Sequence, residues 1–151
     1  MRRQFLLTLA ALLATDTMAV GETPEIGAGA PHYVSTQVAM AELGELLAAY
    51  SAGNTALAET MVLVSMIGRQ QLFDAMRASL ALQKQIRISL RDPRFANTDS
   101  VIIIQTNWDK RYLTLPTLAP KLQSGSSSFV MQKTPDGWRL AGLSGDNIFN
   151  H

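Results

Sequence analysis

The residues best suited to chemistry are one tyrosine and one aspartate in different predicted elements. Tyr50 lies at the end of a helical stripe, and Asp109 lies in a long, largely apolar strand. A carboxylate and a phenol inside one cavity could act as base and acid in a proton transfer, because burial shifts their pKa values. Histidine does not suit that role here, since His32 and His151 fall outside the predicted elements. Tyr50 and Asp109 are therefore the candidate catalytic residues.

The strand predicted from Val101 to Leu113 also carries two aromatic residues at alternating positions. Trp108 and Tyr112 share one face, whereas Asp109 lies on the other. Together with Tyr50, these two rings could line the mouth of an apolar ligand pocket. The alternatives are that the rings fill an ordinary core, and that Asp109 forms a charge cluster with Arg111 or Lys110 on a solvated or interface face.

The first half of this strand is apolar on both faces. Ile102 and Ile104 share the Trp108 face, whereas Val101 and Ile103 share the opposite one. One face would pack on helices, and the other would need a cover of its own. The pattern therefore predicts a homodimer formed through the sheet.

Other kinds of site find little support in the sequence. The chain has no cysteine and no histidine within a predicted element, so we expect no metal site. No phosphate loop, dinucleotide fingerprint or nucleophile elbow occurs, so we expect no cofactor. The run Ser124 to Ser128 is better explained as a turn entering a strand.

Helical periodicity dominates the first half of the chain. Ser35 or Thr36 could cap a first helix, and Asn54 or Thr55 a second. Residues 61–67 fit either the end of that second helix or a short buried strand. The apolar residues of the first and third helices recur at helical spacing: Leu43, Leu46, Leu47 and Tyr50 in the first, and Leu72, Phe73, Met76 and Leu80 in the third.

The hydrophobic period then changes from helical to alternating. Ile86, Ile88 and Leu90 alternate with polar residues, and Pro93 is expected to close this strand. The long strand from Val101 follows, and Pro116 and Pro120 are expected to bracket a loop. Two more strands, Ser126 to Thr134 and Trp138 to Leu143, are joined by the turn Thr134-Pro135-Asp136-Gly137. Three helices followed by about four strands predict an α+β fold, with helices packed on a curved antiparallel sheet.

Short motifs in this order resemble the nuclear transport factor 2-like superfamily, which shares a cystatin-like cone fold. They run through Ala48-Ala49-Tyr50-Ser51-Ala52-Gly53-Asn54, Gly68-Arg69-Gln70-Gln71-Leu72, Val101…Trp108…Arg111 and Gly137-Trp138-Arg139-Leu140. The resemblance implies a cone that is often dimeric and that holds a ligand, an active site or only side chains. It also implies that a catalytic Tyr50 and Asp109 would serve an isomerase, dehydratase or cyclase-like reaction.

The amino terminus has the features of a secretory signal peptide. Arg2 and Arg3 precede an apolar stretch from Phe5 to Ala14, which is too short to span a bilayer. Sec export is expected, and the paired arginines leave the twin-arginine route open. We therefore expect a signal peptide over residues 1–21, a flexible leader over residues 22–32, and one periplasmic or secreted domain over residues 33–151 with no membrane span.

Charge argues against a nucleic-acid partner. Residues 1–21 hold two of the 13 basic residues and one of the 12 acidic residues, so the mature chain is formally neutral. Basic residues cluster between positions 69 and 94, but neighbouring acidic residues and the scarcity of aromatic side chains favour a solvated surface. The favoured function is a non-catalytic periplasmic domain that binds a small apolar ligand or a protein partner, including itself.

Overall fold

The computed structural model describes residues 23–151 of the chain, with side chains from residue 33 onward. The predicted signal peptide lies outside the described residues, as do the side chains of the predicted leader, so both boundaries stay predictions. The elements are α1 (Thr23–Ser51), α2 (Thr55–Thr60), α3 (Arg69–Leu82), β1 (Gln83–Asn97), β2 (Val101–Thr114), β3 (Ala119–Thr134) and β4 (Gly137–Gly145).

The four strands form one antiparallel sheet in the order β1-β2-β3-β4. Sequential antiparallel strands need only short connections, which is why the second half of the chain forms a simple meander. The sheet curls around the helices, and α1 contacts β1, β2 and β4. The predicted α+β fold, with three helices on a curved four-stranded sheet, is confirmed over the described residues.

The first and third helices bury the stripes expected of them. Leu43 and Tyr50 of α1 have no exposed surface, and Phe73 and Met76 of α3 are buried as well. The expected start of the first helix is wrong, because α1 begins at Thr23, well before Ser35 or Thr36. Within the part of the chain that the structure describes, no helix has the length and hydrophobicity needed to cross a membrane.

The segment between α2 and α3 combines a short helix with a single bridge to the sheet. Asn54 caps α2 by accepting a hydrogen bond from the Leu57 amide at 3.1 Å, as the sequence suggested. The following segment is neither of the two alternatives left open for residues 61–67. Val62 instead forms an isolated parallel bridge with Leu140 of β4, which ties this loop to the sheet.

Strand β1 continues past the proline that was expected to end it. Pairing with β2 shifts register between Arg91 and Arg94, which leaves Asp92 and Pro93 in a bulge, with Asp92 at a φ of 52°. Because proline lacks an amide hydrogen, a bulge is where a strand can hold it. The expected closure at Pro93 is therefore wrong.

Strand β3 begins earlier than expected. It runs from Ala119 and includes Pro120 and the serine-rich run from Ser124 to Ser128, so neither marks a loop or turn. By contrast, the expected hairpin from Thr134 to Gly137 is confirmed. Gly137 adopts a φ of 111°, which favours glycine, and the Thr134 hydroxyl donates to its carbonyl oxygen at 2.8 Å.

Candidate functional site

One lysine side chain is buried inside the fold. Lys110 lies on the face of β2 that packs against the helices, here called the inner face, and has no exposed surface. Ile102, Ile104 and Trp108 precede it on that face and are also buried. The alternation of the strand places the lysine there, since every second residue of β2 points inward.

The ammonium group of Lys110 is fully hydrogen-bonded by neutral oxygen atoms. Its Nζ donates to the hydroxyl of Tyr50 at 3.3 Å, to the carbonyl of Ile148 at 3.0 Å and to the carbonyl of Asn150 at 2.6 Å. The same nitrogen lies 5.7 Å from the ring centre of Tyr50 and 5.5 Å from that of Tyr112. Three donors thus meet three acceptors, and two aromatic faces add cation–π attraction.

A chain of hydrogen bonds continues from this lysine into the helices. The Ser79 hydroxyl donates to the side-chain oxygen of Gln83 at 2.8 Å, so its oxygen is left to accept from the Tyr50 hydroxyl at 2.6 Å. Lys110, Tyr50, Ser79 and Gln83 are all buried, and we call them the Lys110 cluster. Burial raises the pKa of Tyr50, because it disfavours the phenolate.

The residues that follow β4 close the interior over this cluster. Ile148 and Phe149 are completely buried, and the Phe149 ring meets the Tyr50 ring edge-on with 5.0 Å between centroids. The Asn147 side chain accepts from the Phe149 amide at 3.0 Å and thereby shapes the turn. Residues 147–150, here called the closing segment, thus fill the space beside Tyr50.

A buried amine of this kind could be reactive, but in this structure the amine is covered by other residues. Desolvation lowers the pKa of Lys110 to about 8, so part of the population is neutral near physiological pH. A neutral amine can act as a base or a nucleophile toward a carbonyl compound. Here the closing segment and the core cover the nitrogen, and its hydrogen bonds tie that segment to the sheet.

The aromatic residues named as pocket candidates fill the core to different degrees. Tyr50 and Trp108 are completely or almost completely buried, whereas Tyr112 is half-buried. The Trp108 indole donates to the hydroxyl of Ser127 at 2.7 Å, which satisfies its N–H group inside the fold. The two larger members therefore pack as core, and only Tyr112 borders one of the surface cavities of about 310–400 Å³.

The structure does not bring Tyr50 and Asp109 together. Asp109 points to the opposite, outer face of the sheet, where its carboxylate forms an ion pair with Arg91 at 3.0 Å. It also accepts a hydrogen bond from the Ser124 hydroxyl at 2.6 Å. Because β2 separates the two residues, they form no acid–base pair in this arrangement. The charge cluster expected for Asp109 involved Arg111 or Lys110, whereas the structure pairs Asp109 with Arg91 on the outer face and buries Lys110 on the inner face.

The outer face changes character from one end of the sheet to the other. At one end, a row of small and apolar residues crosses all four strands in register. We call this the apolar row, and it consists of Ala96, Ile103, Val130 and Gly142. Its centre is open, since Ile103 is 38% exposed. The middle rows carry short polar side chains on β3, Ser124, Ser126 and Ser128, and arginines on β1, Arg91 and Arg94. The far end carries Arg87 and Arg111 beside Leu122.

The basic residues between positions 69 and 94 do not form a continuous patch. Arg77 pairs with Glu59 at 3.1 Å and with Asp74 at 3.0 Å, and Arg91 pairs with Asp109. The guanidinium of Arg69 lies over the Phe73 ring, 4.6 Å from its centre. Among the described residues, no group of three or more acidic or histidine side chains could hold a metal ion.

Sequence reasoning missed the two features that organise the interior. Lys110 was the one charged residue in the alternating series from Ile102 to Tyr112, and that contrast with its neighbours was the available signal. Phe149 and its neighbour Ile148 form an isolated apolar pair between polar residues, with no periodic pattern from which their packing could be predicted. Only the folded chain brings the two together.

Comparison with known proteins supports the fold through structure alone. Neither protein-family models nor curated proteins match the sequence. A nuclear transport factor 2-like superfamily protein from Salmonella enterica is 14% identical, with 77% of this chain and 92% of that chain covered and a TM-score of 0.66. A proposed dehydratase of that family from Streptomyces avermitilis is 13% identical, covers 73% and 93%, and has a TM-score of 0.63.

A third similar structure is a domain named for assembly. The association domain of CaMKII from C. elegans is 12% identical, with 76% of this chain and 96% of that chain covered and a TM-score of 0.60. The structural similarity establishes the architecture, and because the sequence identities are so low it leaves the function open. The chain has the nuclear transport factor 2-like fold, as the motifs in its sequence predicted.

Proposed function

We propose that this chain is a non-catalytic domain of the cell envelope that uses the outer face of its sheet to bind a protein partner, and that the partner is a second copy of the chain. The observation that carries the proposal is the apolar row. Its four members lie side by side on β1 to β4, and Ile103 at its centre is open to solvent. A continuous apolar strip on an exposed face of a sheet favours association.

The filled interior supports an association role over a ligand-binding one. Phe149 packs on Tyr50, and Lys110 holds the closing segment in place with two hydrogen bonds to its carbonyl groups. A small apolar ligand would have to displace both the ring and those hydrogen bonds. The outer face demands no such rearrangement.

The rows next to the apolar row suit close approach of a second sheet. Gln105 and Ser128 lie in the adjacent row, and Asn107 and Ser126 in the one after it. On β1 the same rows carry Arg94 and Arg91. The side chains on β2 and β3 are uncharged, so they leave room for a facing sheet and supply hydrogen-bond groups at its rim. The proposal is also supported by the name of one protein of this fold, the association domain of CaMKII from C. elegans.

Light scattering on the processed protein tests this proposal. We expect a mass twice that of the chain at high micromolar concentration. For Ile103→Lys we expect a monomeric mass, because burying a charged side chain in the apolar row carries a large desolvation penalty. Ile67→Lys is the matched control, since Ile67 is 94% exposed in the loop before α3. A monomeric wild type, or equal loss of the dimer in both variants, would overturn the proposal.

The envelope location rests on the amino-terminal sequence and has its own test. Arg2, Arg3 and the apolar stretch from Phe5 to Ala14 are typical of an exported protein. Mass spectrometry of the periplasmic fraction is expected to find a chain that begins after Ala19 or Gly21. A cytoplasmic protein that retains Met1 would contradict export.

A further inference from the structure

A cavity of about 400 Å³ lies where β1, β2 and β3 meet at the basic end of the sheet. Three cationic side chains line it, Arg87, Arg111 and Lys121, together with the apolar side chains of Leu113, Pro120 and Leu122. We call it the basic cavity. Its size falls within the range of about 300–1,000 Å³ that is usual for small-molecule sites.

Arg87 and Arg111 lie side by side in the basic cavity without a counter-charge. Arg87 is directly opposite Arg111 in the β1–β2 ladder, and like charges in that position repel each other. Neither they nor Lys121 form an ion pair or a side-chain hydrogen bond with any described residue, although Arg77, Arg91 and Arg139 all do. The lining contains no carboxylate. An anion in the cavity would therefore relieve the repulsion.

The apolar part of the lining is also accessible to solvent. Leu122 lies opposite Arg111 in the β2–β3 ladder and is 61% exposed. Pro120 lies opposite Leu113 in the same ladder, two residues nearer to the turn that joins β2 to β3. The cavity thus offers a hydrophobic surface next to a cluster of unpaired cations.

We propose that the basic cavity binds a small single-chain anionic amphiphile. Its carboxylate or phosphate head would lie between Arg87 and Arg111, and its alkyl chain would cover Leu122 and its apolar neighbours. Guanidinium groups suit such a head because their paired N–H donors match two oxygen atoms. This site is separate from the apolar row and goes beyond the proposed association.

Calorimetry with decanoate below its micelle concentration tests the site. We expect saturable binding of one decanoate per chain, at least about tenfold weaker binding to Arg111→Gln, a loss of about 1.4 kcal/mol, and weaker binding to Leu122→Ser. Lys133→Gln is the control, because Lys133 is exposed near the opposite end of β3 and changes the charge equally. Absence of decanoate binding, or equal affinity in Arg111→Gln and wild type, would overturn the proposal.

Three further titrations define the ligand class. Decyltrimethylammonium should not compete with decanoate, and inorganic phosphate should bind far more weakly, because it lacks the alkyl chain. If phosphate bound as tightly as decanoate, the amphiphile assignment would be wrong. Binding to vesicles of anionic phospholipid without binding to decanoate would also overturn it, since the site would then be a membrane surface.

This test is independent of the association proposal. Ile103→Lys changes the apolar row and leaves the lining of the basic cavity intact. We therefore expect Ile103→Lys to bind decanoate with wild-type affinity even as a monomer. Loss of decanoate binding in that variant would contradict a self-contained site within one chain.

Discussion

The Nζ atom of Lys110 lies 3.3 Å from the hydroxyl oxygen of Tyr50, and both residues are completely buried. The contact joins β2 to α1 at the place where the closing segment covers the interior. Since all three lysine donors find neutral acceptors, the charge is hydrogen-bonded but has no buried carboxylate beside it. This arrangement makes Lys110 an anchor for the end of the chain.

Replacing Lys110 by methionine should loosen the closing segment. The carbonyl groups of Ile148 and Asn150 would lose their shared donor, while the apolar stem of the side chain would be kept. We expect the Phe149 and Asn150 amides to exchange hydrogen about tenfold faster or more, the equivalent of one lost hydrogen bond of ~1.4 kcal/mol. Hydrogen-exchange mass spectrometry measures this directly.

Lys133→Met is the control for that exchange experiment. It makes the same substitution at an exposed lysine on β3, and should leave the protection of residues 147–150 unchanged. Unaltered exchange in Lys110→Met would mean that packing of Phe149 alone holds the closing segment.

Stability should rise with pH in a window set by Lys110. Its pKa is lowered from 10.5 to about 8 in the folded protein, so above that value the unfolded chain binds more protons than the folded chain. The free energy of unfolding therefore increases as pH rises from about 8 toward 10, and the cost of the buried charge is fully present below this window. Urea denaturation at several pH values measures the increase.

Two comparisons give the pH experiment its specificity. Lys110→Met should lack the increase, because no buried amine is left to titrate. The pKa of Tyr50 is raised above 10.0, so this residue lowers stability only at pH values above that range and does not mask the effect. An identical pH dependence in wild type and Lys110→Met would show that Lys110 is not the group responsible.

Gly125 and Gly44 should respond in opposite ways to alanine. A Cβ atom on Gly125 would lie 2.5 Å from Cζ2 of Trp108 and 2.9 Å from Cβ of Asp146, so Gly125→Ala should cost about 1–3 kcal/mol or more. Gly44 lies within α1 with no atom within 4 Å of its added Cβ. Gly44→Ala should therefore stabilise the protein by roughly 0.5–1 kcal/mol, because alanine restricts the unfolded chain.

Chemical denaturation followed by tryptophan fluorescence would measure both glycine variants. The emission of Trp108 should also change in Gly125→Ala, since the indole has to move away from β3. A stable Gly125→Ala with an unchanged spectrum would mean that the indole does not lie against the β3 backbone.

Asp109→Asn should have little effect on stability. The Arg91 side chain is 53% exposed and that of Asp109 is 27% exposed, and solvent weakens ion pairs of this kind. We expect a cost below about 1 kcal/mol in urea denaturation. A loss of several kcal/mol would indicate that Asp109 lies in a buried setting, as the catalytic hypothesis requires.

Much of the fold could be predicted because its signals are local. The apolar stripe through Leu43 and Tyr50 requires a helix, and the alternation from Ile86 onward requires a strand with one wet face. The bulge at Pro93 could not be predicted, because whether a strand stops at a proline or passes it depends on the partner strand. β2 continues to Val101, so β1 has residues to pair with beyond the proline.

The candidate site was less accessible to sequence reasoning, because its contacts join distant parts of the chain. Tyr50 and Trp108 could be identified as large inward-facing rings, but the packing of Phe149 of the closing segment on Tyr50 could not. The face of Asp109 depended on which side of β2 the helices cover. The alternation allowed Asp109 to lie on either the inner or the outer face of β2, and the packing of the helices determines which face is the inner one.

Two neighbouring isoleucines on β2 provide the most direct test of association through the outer face of the sheet. Ile103 points outward and is 38% exposed, whereas Ile104 points inward and has no exposed surface. In methyl NMR spectra of a dilution series, we expect the Ile103 δ1 signal to shift as the dimer dissociates while the Ile104 signal stays in place. An Ile103 signal that is constant at every concentration, or an Ile104 signal that moves equally, would contradict association through the outer face.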